Sequence, residues 1–166
     1  YRANAERMLL SAVSNPLVAL NSAWSFEKIE APMLLPRSLV SEEYGGEEVF
    51  LLERSTSEER LVLRPETTAG TYLALKTFLD ERGIRRLPTC FWQSGKSFRV
   101  EKSDGASASR LRYNEFTQTE WQCLYRADTK ADYRSAVLPS LQSTLAALTL
   151  CESRVIPSER TPSYSL

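Results

Sequence analysis

Apolar and polar positions follow two different periods along this chain, and the two periods predict its elements. Residues 4–13 (NAERMLLSAV) repeat apolar side chains at helical spacing, and residues 16–24 (PLVALNSAW) form a second helical run. Pro16 separates the two runs, either as a break or as the first position of a new helix. From Phe26 to Pro32 the side chains instead alternate between apolar and polar and stop at a proline, which predicts a strand with a defined end.

The middle of the chain predicts a hairpin followed by a helix. Two short apolar runs, 49–54 and 61–64, flank a polar loop and are typical of paired strands. A helix is predicted over 67–82, where either of two adjacent threonines can cap its start. The apolar stripe of this predicted helix consists of Tyr72, Leu75 and Leu79.

Two longer runs, 89–101 and 111–125, are rich in aromatic and β-branched residues and flank a Ser/Gly-rich loop at 102–109. This composition predicts two antiparallel strands around a loop. A last helix is predicted over 130–149, in which Pro139 marks a kink or the true start. The order of elements predicts an α+β fold, with an antiparallel β-sheet flanked by helices.

The period-two alternation divides the long strand pair into two faces. One face is apolar, includes Trp121 and Cys123, and is expected to pack on a helix. The opposite face carries polar groups and a single aromatic ring: Arg99, Glu101, Phe116, Gln118 and Glu120. An ordinary solvated sheet face has a similar pattern, so the alternation by itself leaves both interpretations open.

The polar face has the chemistry of a site for a nucleotide and an amine. A guanidinium can neutralise a phosphate, an aromatic ring can stack on a base, and carboxylates can hold an ammonium group. The chain has no histidine and only three cysteines, far apart in sequence, which excludes Ser-His-Asp and Cys-His catalysis and the usual zinc spacings. No general base is needed when the nucleophile is already an anion, such as a carboxylate that attacks the α-phosphate of ATP.

Composition and charge restrict the class of protein further. The formal net charge is zero, although 81–112 holds eight Lys/Arg against three Asp/Glu, a local excess that can meet phosphates or simply face solvent. The sparse cysteines favour a reducing compartment, and we expect Cys90 and Cys123 to be buried in strands. No apolar run approaches the length of a membrane span, so a cytoplasmic protein without membrane contact is expected.

Several segments resemble the motifs of class II aminoacyl-tRNA synthetases. Phe-Arg-Val-Glu at 98–101, followed by a loop and Arg-x-x-x-Phe at 112–116, is similar to motif 2, and the whole motif 2-like segment is 97–121. A helix and then a strand ending in proline, at 16–32, is similar to motif 1. Leu-Arg-Pro-Glu-Thr at 63–67 resembles the signature of the glycyl branch of the family.

The resemblance implies what the chain does and what it lacks. It implies a ligase that activates glycine with ATP and Mg²⁺ to glycyl-adenylate and charges tRNA(Gly), as a homodimer joined through 16–32. The catalytic domain over 1–166 is expected to be incomplete and inactive alone, because the glycine-rich third motif is absent. No metal ligand is predicted within the chain, since the magnesium ligands of the family precede that third motif.

The resemblance also implies a role for each candidate residue. Arg99 would be the catalytic arginine, holding the α-phosphate of ATP and the carboxylate of the amino acid. Glu101 would contact the adenine side of the nucleotide, Arg112 would reach the distal phosphates, and Phe116 would stack on adenine.

Two carboxylates, those of Glu66 and Glu120, would approach the ammonium group of glycine. A substrate without a side chain offers little else to hold, and larger amino acids would be excluded by lack of space. Two alternatives stay open: a class II ligase for another small amino acid such as threonine, proline or serine, and a non-catalytic relative that serves as a nucleic-acid-binding or polymerase accessory module.

Overall fold

A computed structural model describes residues 1–42, 44, 47–52, 60–82, 87–101 and 112–156, with residue 82 described by its backbone alone. The chain divides into two compact units. One unit is Ala23–Thr129, and the other combines Tyr1–Ser22 with the described part of Lys130–Leu166. In the described part of the chain, no helix combines the length and apolar character that crossing a membrane requires.

Helix α1 (Arg2–Leu20) is one continuous helix with Pro16 inside it. The prediction of two helical runs separated at Pro16, with the second reaching residue 24, is therefore wrong. A proline inside a helix removes one backbone hydrogen bond. Because Val13 and Leu17 on either side of it are buried, packing of the apolar face offsets that loss.

Helix α3 (Tyr133–Thr149) contacts α1 within the same unit. Its start is set by Asp132, whose carboxylate accepts hydrogen bonds from the Ser135 backbone N–H at 3.0 Å and from the Ser135 hydroxyl at 2.7 Å. Pro139 lies inside the helix, so the alternative in which it marks the true start is wrong. An aspartate cap outweighs the proline as a start signal because it satisfies a helix N–H that otherwise has no partner.

The three-stranded sheet of the Ala23–Thr129 unit has the order β1 (Ser25–Lys28), β4 (Thr89–Phe98) and β5 (Glu115–Leu124). Strand β4 (Thr89–Phe98) pairs antiparallel with β5 (Glu115–Leu124), which confirms the predicted strand pair. Strand β1 (Ser25–Lys28) is shorter than the predicted 26–32 and pairs with β4 in parallel. The sheet is therefore mixed rather than antiparallel, because the long connection between β1 and β4 permits a parallel crossover.

A second, two-stranded sheet pairs β2 (Leu34–Pro36) with β3 (Leu61–Leu63) in antiparallel register. No pattern in the sequence predicts β2, which has only three residues. Leu51 forms an antiparallel bridge with Val62, and this confirms the predicted pairing for the described part of 49–54. The loop predicted between the two runs falls on residues 53–59, which lie outside the described part of the chain.

Helix α2 (Thr68–Arg82) matches the predicted helix, but its buried stripe is different. Leu75 is buried and the Phe78 ring packs edge-on against Phe91, with the ring centroids 4.9 Å apart. Tyr72 is exposed, contrary to the predicted stripe. Phe91 shares its face of the sheet with the polar candidate residues, so α2 packs on the polar face.

Candidate active site

The strand register places the predicted polar residues on one face of the sheet. Ser97 lies opposite Phe116, and Gln93 lies opposite Glu120. Residues directly opposite each other point to the same face, and so do residues two positions apart along a strand. Arg99 follows Ser97 by two positions and therefore shares this face with Phe116 and Glu120, which confirms the predicted arrangement.

Arg99 is held by four contacts around its guanidinium. Its Nε atom donates to the carbonyl oxygen of Pro65 at 3.1 Å, and its Nη2 atom donates to the hydroxyl of Tyr44 at 3.0 Å. The guanidinium carbon lies 5.1 Å from the ring centroid of Phe116 and 5.2 Å from that of Tyr44. Cation–π contact with two rings and two directed hydrogen bonds fix the plane of this cation.

Tyr44 is the main site residue that sequence reasoning misses. Its hydroxyl donates to Glu66 Oε2 at 2.9 Å while it accepts from Arg99. One phenol thus connects the residue predicted to bind a phosphate with a residue predicted to bind the ammonium group. Arg37 holds the segment in place by donating to the Tyr44 carbonyl at 2.7 Å. Tyr44 stands in a stretch with no periodic pattern, for which the sequence predicts neither a helix nor a strand.

The carboxylate of Glu120, a residue of β5, lies at the start of α2 and away from the ring of Phe116. This carboxylate accepts a hydrogen bond from the Thr68 hydroxyl at 2.7 Å and further bonds from the Thr67 hydroxyl and the Gln122 amide. A carboxylate at a helix N-terminus is stabilised by the helix dipole as well as by these donors. Glu120 is therefore fixed in position, and its two oxygens retain room for a further donor.

Arg64 forms a buried clamp next to this cluster. Its side chain is only 3% exposed, and burial lowers its pKa while the negative charge of Glu120 opposes that shift. Its hydrogen-bond acceptors are the carbonyl oxygens of Lys96 at 2.8 Å, Ala31 at 2.6 Å and Pro32 at 3.3 Å, and the side-chain oxygen of Gln93 at 3.5 Å. Through these bonds Arg64 holds the chain after β1 against β4.

Glu101 and Arg112 form an ion pair with each other. Arg112 Nη2 lies 3.0 Å from Glu101 Oε2 and 3.2 Å from Oε1. The Arg112 side chain is 58% exposed, so its charge is open to solvent. Asn114 connects the pair to the rest of the site, because its carbonyl accepts from the Arg99 N–H and its side-chain oxygen accepts from the Glu101 N–H.

Of the six predicted site residues, the structure brings three into direct or bridged contact: Arg99, Phe116 and Glu66. Glu120 shares their sheet face but bonds to the threonines of α2, and Glu101 pairs with Arg112. The predicted loop at 102–109 lies outside the described residues. Within the residues that the structure does describe, no three histidine, cysteine, aspartate or glutamate side chains form a group that could hold a metal ion.

The geometry agrees with a comparison of the sequence against known families. Residues 50–164 match the family described as tRNA synthetase class II core domain (G, H, P, S and T). The chain belongs to this family. The match includes the segments that carry Glu66, Arg99, Phe116 and Glu120, so the candidate site lies within the family's core domain.

Individual relatives match shorter parts of the synthetase core. A histidine–tRNA ligase of Deinococcus radiodurans is 31% identical over 120 residues, which are 68% of this chain and 26% of that protein. A glycine–tRNA ligase of Mycoplasma genitalium is 41% identical over 68 residues, 40% of this chain and 15% of that protein. The chain thus spans about a quarter or less of the length of these relatives.

A solved structure supports the fold. The prolyl-tRNA synthetase of Giardia lamblia, in complex with prolyl-adenylate, superposes with a TM-score of 0.57 at 20% identity. The likeness covers 86% of this chain and 28% of that one. At this identity it shows a shared class II core fold with α and β elements.

Proposed function

We propose that this chain is part of a glycine–tRNA ligase and forms the part of its active site that binds the nucleotide and the amino acid. The observation that carries the proposal is the cluster of Arg99 and Phe116 on one face of the sheet, with Glu66 joined to Arg99 through the Tyr44 hydroxyl. A cation, a stacking ring and a buried carboxylate match the α-phosphate, the adenine and the ammonium group of an aminoacyl-adenylate.

The proposed reaction needs little from the protein beyond position and charge. The carboxylate of glycine attacks the α-phosphorus of ATP, the bond to the β-phosphate oxygen breaks, and pyrophosphate leaves. Arg99 neutralises the charge that develops on the α-phosphate, and Phe116 holds adenine by stacking. Because the nucleophile is already an anion, no proton has to be removed from it.

Arg112 and Glu101 would contact two other parts of ATP. Arg112 is largely exposed and would turn toward the distal phosphates of ATP, and Glu101 would contact the adenine side. Mg²⁺ would offset phosphate charge when bound, but the described carboxylates do not form a ligand set for it, since Glu101 is paired with Arg112 and Glu120 with hydroxyls.

Glycine is the proposed amino acid because two carboxylates, those of Glu66 and Glu120, would approach its ammonium group. Glu66 is buried and bonded to Tyr44, and Glu120 is fixed by Thr68. The 41% identity with a glycine–tRNA ligase over 68 residues supports this choice. The longer match with a histidine–tRNA ligase makes histidine the competing substrate that a test has to include.

The partners of the proposed enzyme follow from the same family. Its second substrate would be tRNA(Gly), and a homodimer would form through the motif 1-like segment 16–32. A cytoplasmic location stays a prediction.

ATP–pyrophosphate exchange by the full-length protein tests the proposal, with glycine compared against alanine, serine, threonine, proline and histidine. Glycine should exceed alanine by about 10- to 200-fold in kcat/KM, since a pocket that excludes one methylene discriminates in this range. Stronger exchange with another amino acid would overturn the choice of glycine. ATP binding without exchange by any amino acid would favour a non-catalytic module.

A matched pair of substitutions tests the role of the arginine. Arg99→Lys keeps the charge but loses the planar donor geometry, so exchange should fall by about 100-fold. Arg126→Lys is the control, because Arg126 is exposed and contacts only Asp128 among the hydrogen bonds described for it. Equal activity of the two variants would contradict the assignment of Arg99.

A further inference from the structure

Two cysteines face each other across β4 and β5, on the side of the sheet opposite to Arg99. Cys90 lies directly opposite Cys123, and their Sγ atoms are 3.1 Å apart as free thiols. A disulfide bond length is about 2.05 Å, so the two sulfurs have to approach by only about 1 Å to bond. The proposed ligase reaction uses neither cysteine.

The backbone geometry at this position accommodates such a bond. The Arg99 N–H donates to the Asn114 carbonyl at 3.0 Å, which makes these two a hydrogen-bonded pair of the ladder. Hydrogen-bonded and non-hydrogen-bonded pairs alternate along antiparallel strands. Cys90 is an odd number of positions from Arg99, so Cys90 and Cys123 form a non-hydrogen-bonded pair. Cα atoms in such pairs are about 4.5 Å apart, which lies within the range of about 4.4–6.8 Å observed for disulfides.

The two cysteine residues differ in exposure to solvent. Cys90 is fully buried, at 0% exposure, whereas Cys123 is partly exposed. The hydrogen bond between the two thiols lowers the pKa of Cys123, and the same bond together with burial raises the pKa of Cys90. The more exposed residue is thus also the one whose thiol ionises first, which makes Cys123 the attacking group and Cys90 the resolving group.

The surroundings of the pair are apolar and aromatic. Trp92 lies opposite Trp121 two positions along the same face, and Phe26 of β1 is the neighbour of Cys90 in the parallel ladder. Because Cys90 has no exposed surface and Cys123 is partly exposed, a dissolved oxidant meets Cys123 first.

We propose that Cys90 and Cys123 are a redox modification site that closes to an intrachain disulfide in the presence of a small-molecule disulfide such as oxidised glutathione. The Cys123 thiolate attacks one sulfur of oxidised glutathione, the glutathione S–S bond breaks, and the first glutathione leaves and takes up a proton. Cys90 then loses its proton and attacks Cys123 Sγ, which displaces the second glutathione. Two protein thiols are oxidised and one glutathione disulfide is reduced to two thiols.

The bond would tie together the two strands that carry Arg99 and Phe116 on their other face. It closes a loop of about 34 residues, and a cross-link of this span raises thermal stability by restricting the unfolded chain. Oxidation would therefore stiffen the sheet beneath the candidate site without touching any group that contacts substrate.

The test equilibrates the full-length reduced protein in buffers with increasing ratios of oxidised to reduced glutathione. The protein is then denatured, its free thiols are alkylated, and its peptides are mapped by mass spectrometry. A cross-link between the peptides of Cys90 and Cys123 should rise with the ratio and disappear on treatment with dithiothreitol. The oxidised form should melt roughly 5–10 °C above the reduced form.

Two substitutions complete the design. Cys151→Ser removes an exposed cysteine and should leave the cross-link unchanged. Cys123→Ser should abolish both the cross-link and the rise in melting temperature. Alkylation of both thiols at every ratio, glutathione retained on Cys123 without release, or pairing of either cysteine with Cys151 would overturn the proposal.

Discussion

Gly95 gives room to the buried Arg64 clamp, and replacing it with alanine should show what the clamp contributes. A Cβ atom at position 95 would lie 2.2 Å from Arg64 Nη2 and 3.5 Å from Cζ. The guanidinium therefore has to move by about 1 Å, because real carbon–nitrogen contacts stay beyond about 3 Å. It is not free to do so, since it donates to Lys96 O at 2.8 Å and to Ala31 O at 2.6 Å.

The cost of Gly95→Ala follows from these bonds. Displacing the guanidinium weakens two charge-assisted hydrogen bonds, worth at least about 1.5 kcal/mol each, for a loss of about 3 kcal/mol. Alanine restricts the unfolded chain more than glycine does, which raises the free energy of unfolding by about 0.7 kcal/mol. The free energy of unfolding should therefore fall by roughly 2 kcal/mol, which lowers the melting temperature by about 4–8 °C in a chain of this size.

Urea unfolding followed by tryptophan fluorescence measures this loss, because all three tryptophans of the chain (Trp24, Trp92 and Trp121) lie in the Ala23–Thr129 unit. Arg64→Met provides the reference background. With the guanidinium absent, Gly95→Ala should cost less than about 0.5 kcal/mol, so the coupling between the two sites is about 2 kcal/mol. The same loss in both backgrounds would refute the steric argument, and so would a stable single Gly95→Ala variant.

Two further substitutions test other parts of the structure. Tyr44→Phe removes the hydroxyl that bridges Arg99 and Glu66 but keeps the ring, so the KM for glycine in pyrophosphate exchange should rise about 5- to 30-fold; an unchanged KM would contradict the bridge. Asp132→Ala removes the cap of α3 and should lower the melting temperature at neutral pH. The Ser135 hydroxyl and N–H lower the folded-state pKa of Asp132, so its contribution is present above the unfolded value of 3.8 and is lost as pH falls through the lower folded value. Melting curves of both proteins from pH 7 to pH 2 should converge at the acid end, and a constant difference would count against the cap.

The features that sequence predicts correctly are those decided within one or two neighbouring elements. The pairing of β4 with β5 and the shared face of Arg99, Phe116 and Glu120 follow from period-two alternation, which every strand obeys. Helix α2 follows from its threonines and apolar spacing. Such features need no knowledge of what lies on the other side of the sheet.

The features that sequence misses depend on contacts between distant segments. Pro16 is tolerated inside α1 because the residues around it are buried. Predictions from neighbouring residues in the sequence do not include the stabilisation that this packing provides. The parallel pairing of β1 with β4 joins strands about 60 residues apart, and short strands give little indication of direction. Tyr44 enters the site through hydrogen bonds to residues 22 and 55 positions away, in a stretch that shows no periodicity.

Five consecutive residues, Arg64 to Thr68, connect the framework of the Ala23–Thr129 unit to the candidate chemistry. Arg64 fixes this segment to β4 and to the chain after β1, Pro65 accepts from Arg99, and Glu66 accepts from Tyr44. The two threonines then hold Glu120. Because these contacts belong to one short run of chain, a shift of the Arg64 clamp moves the acceptor of Arg99 and both candidate carboxylates together. The geometry of the site is therefore set by a buried cation, which explains why a cluster drawn from three separate segments can be held rigidly before any ligand arrives.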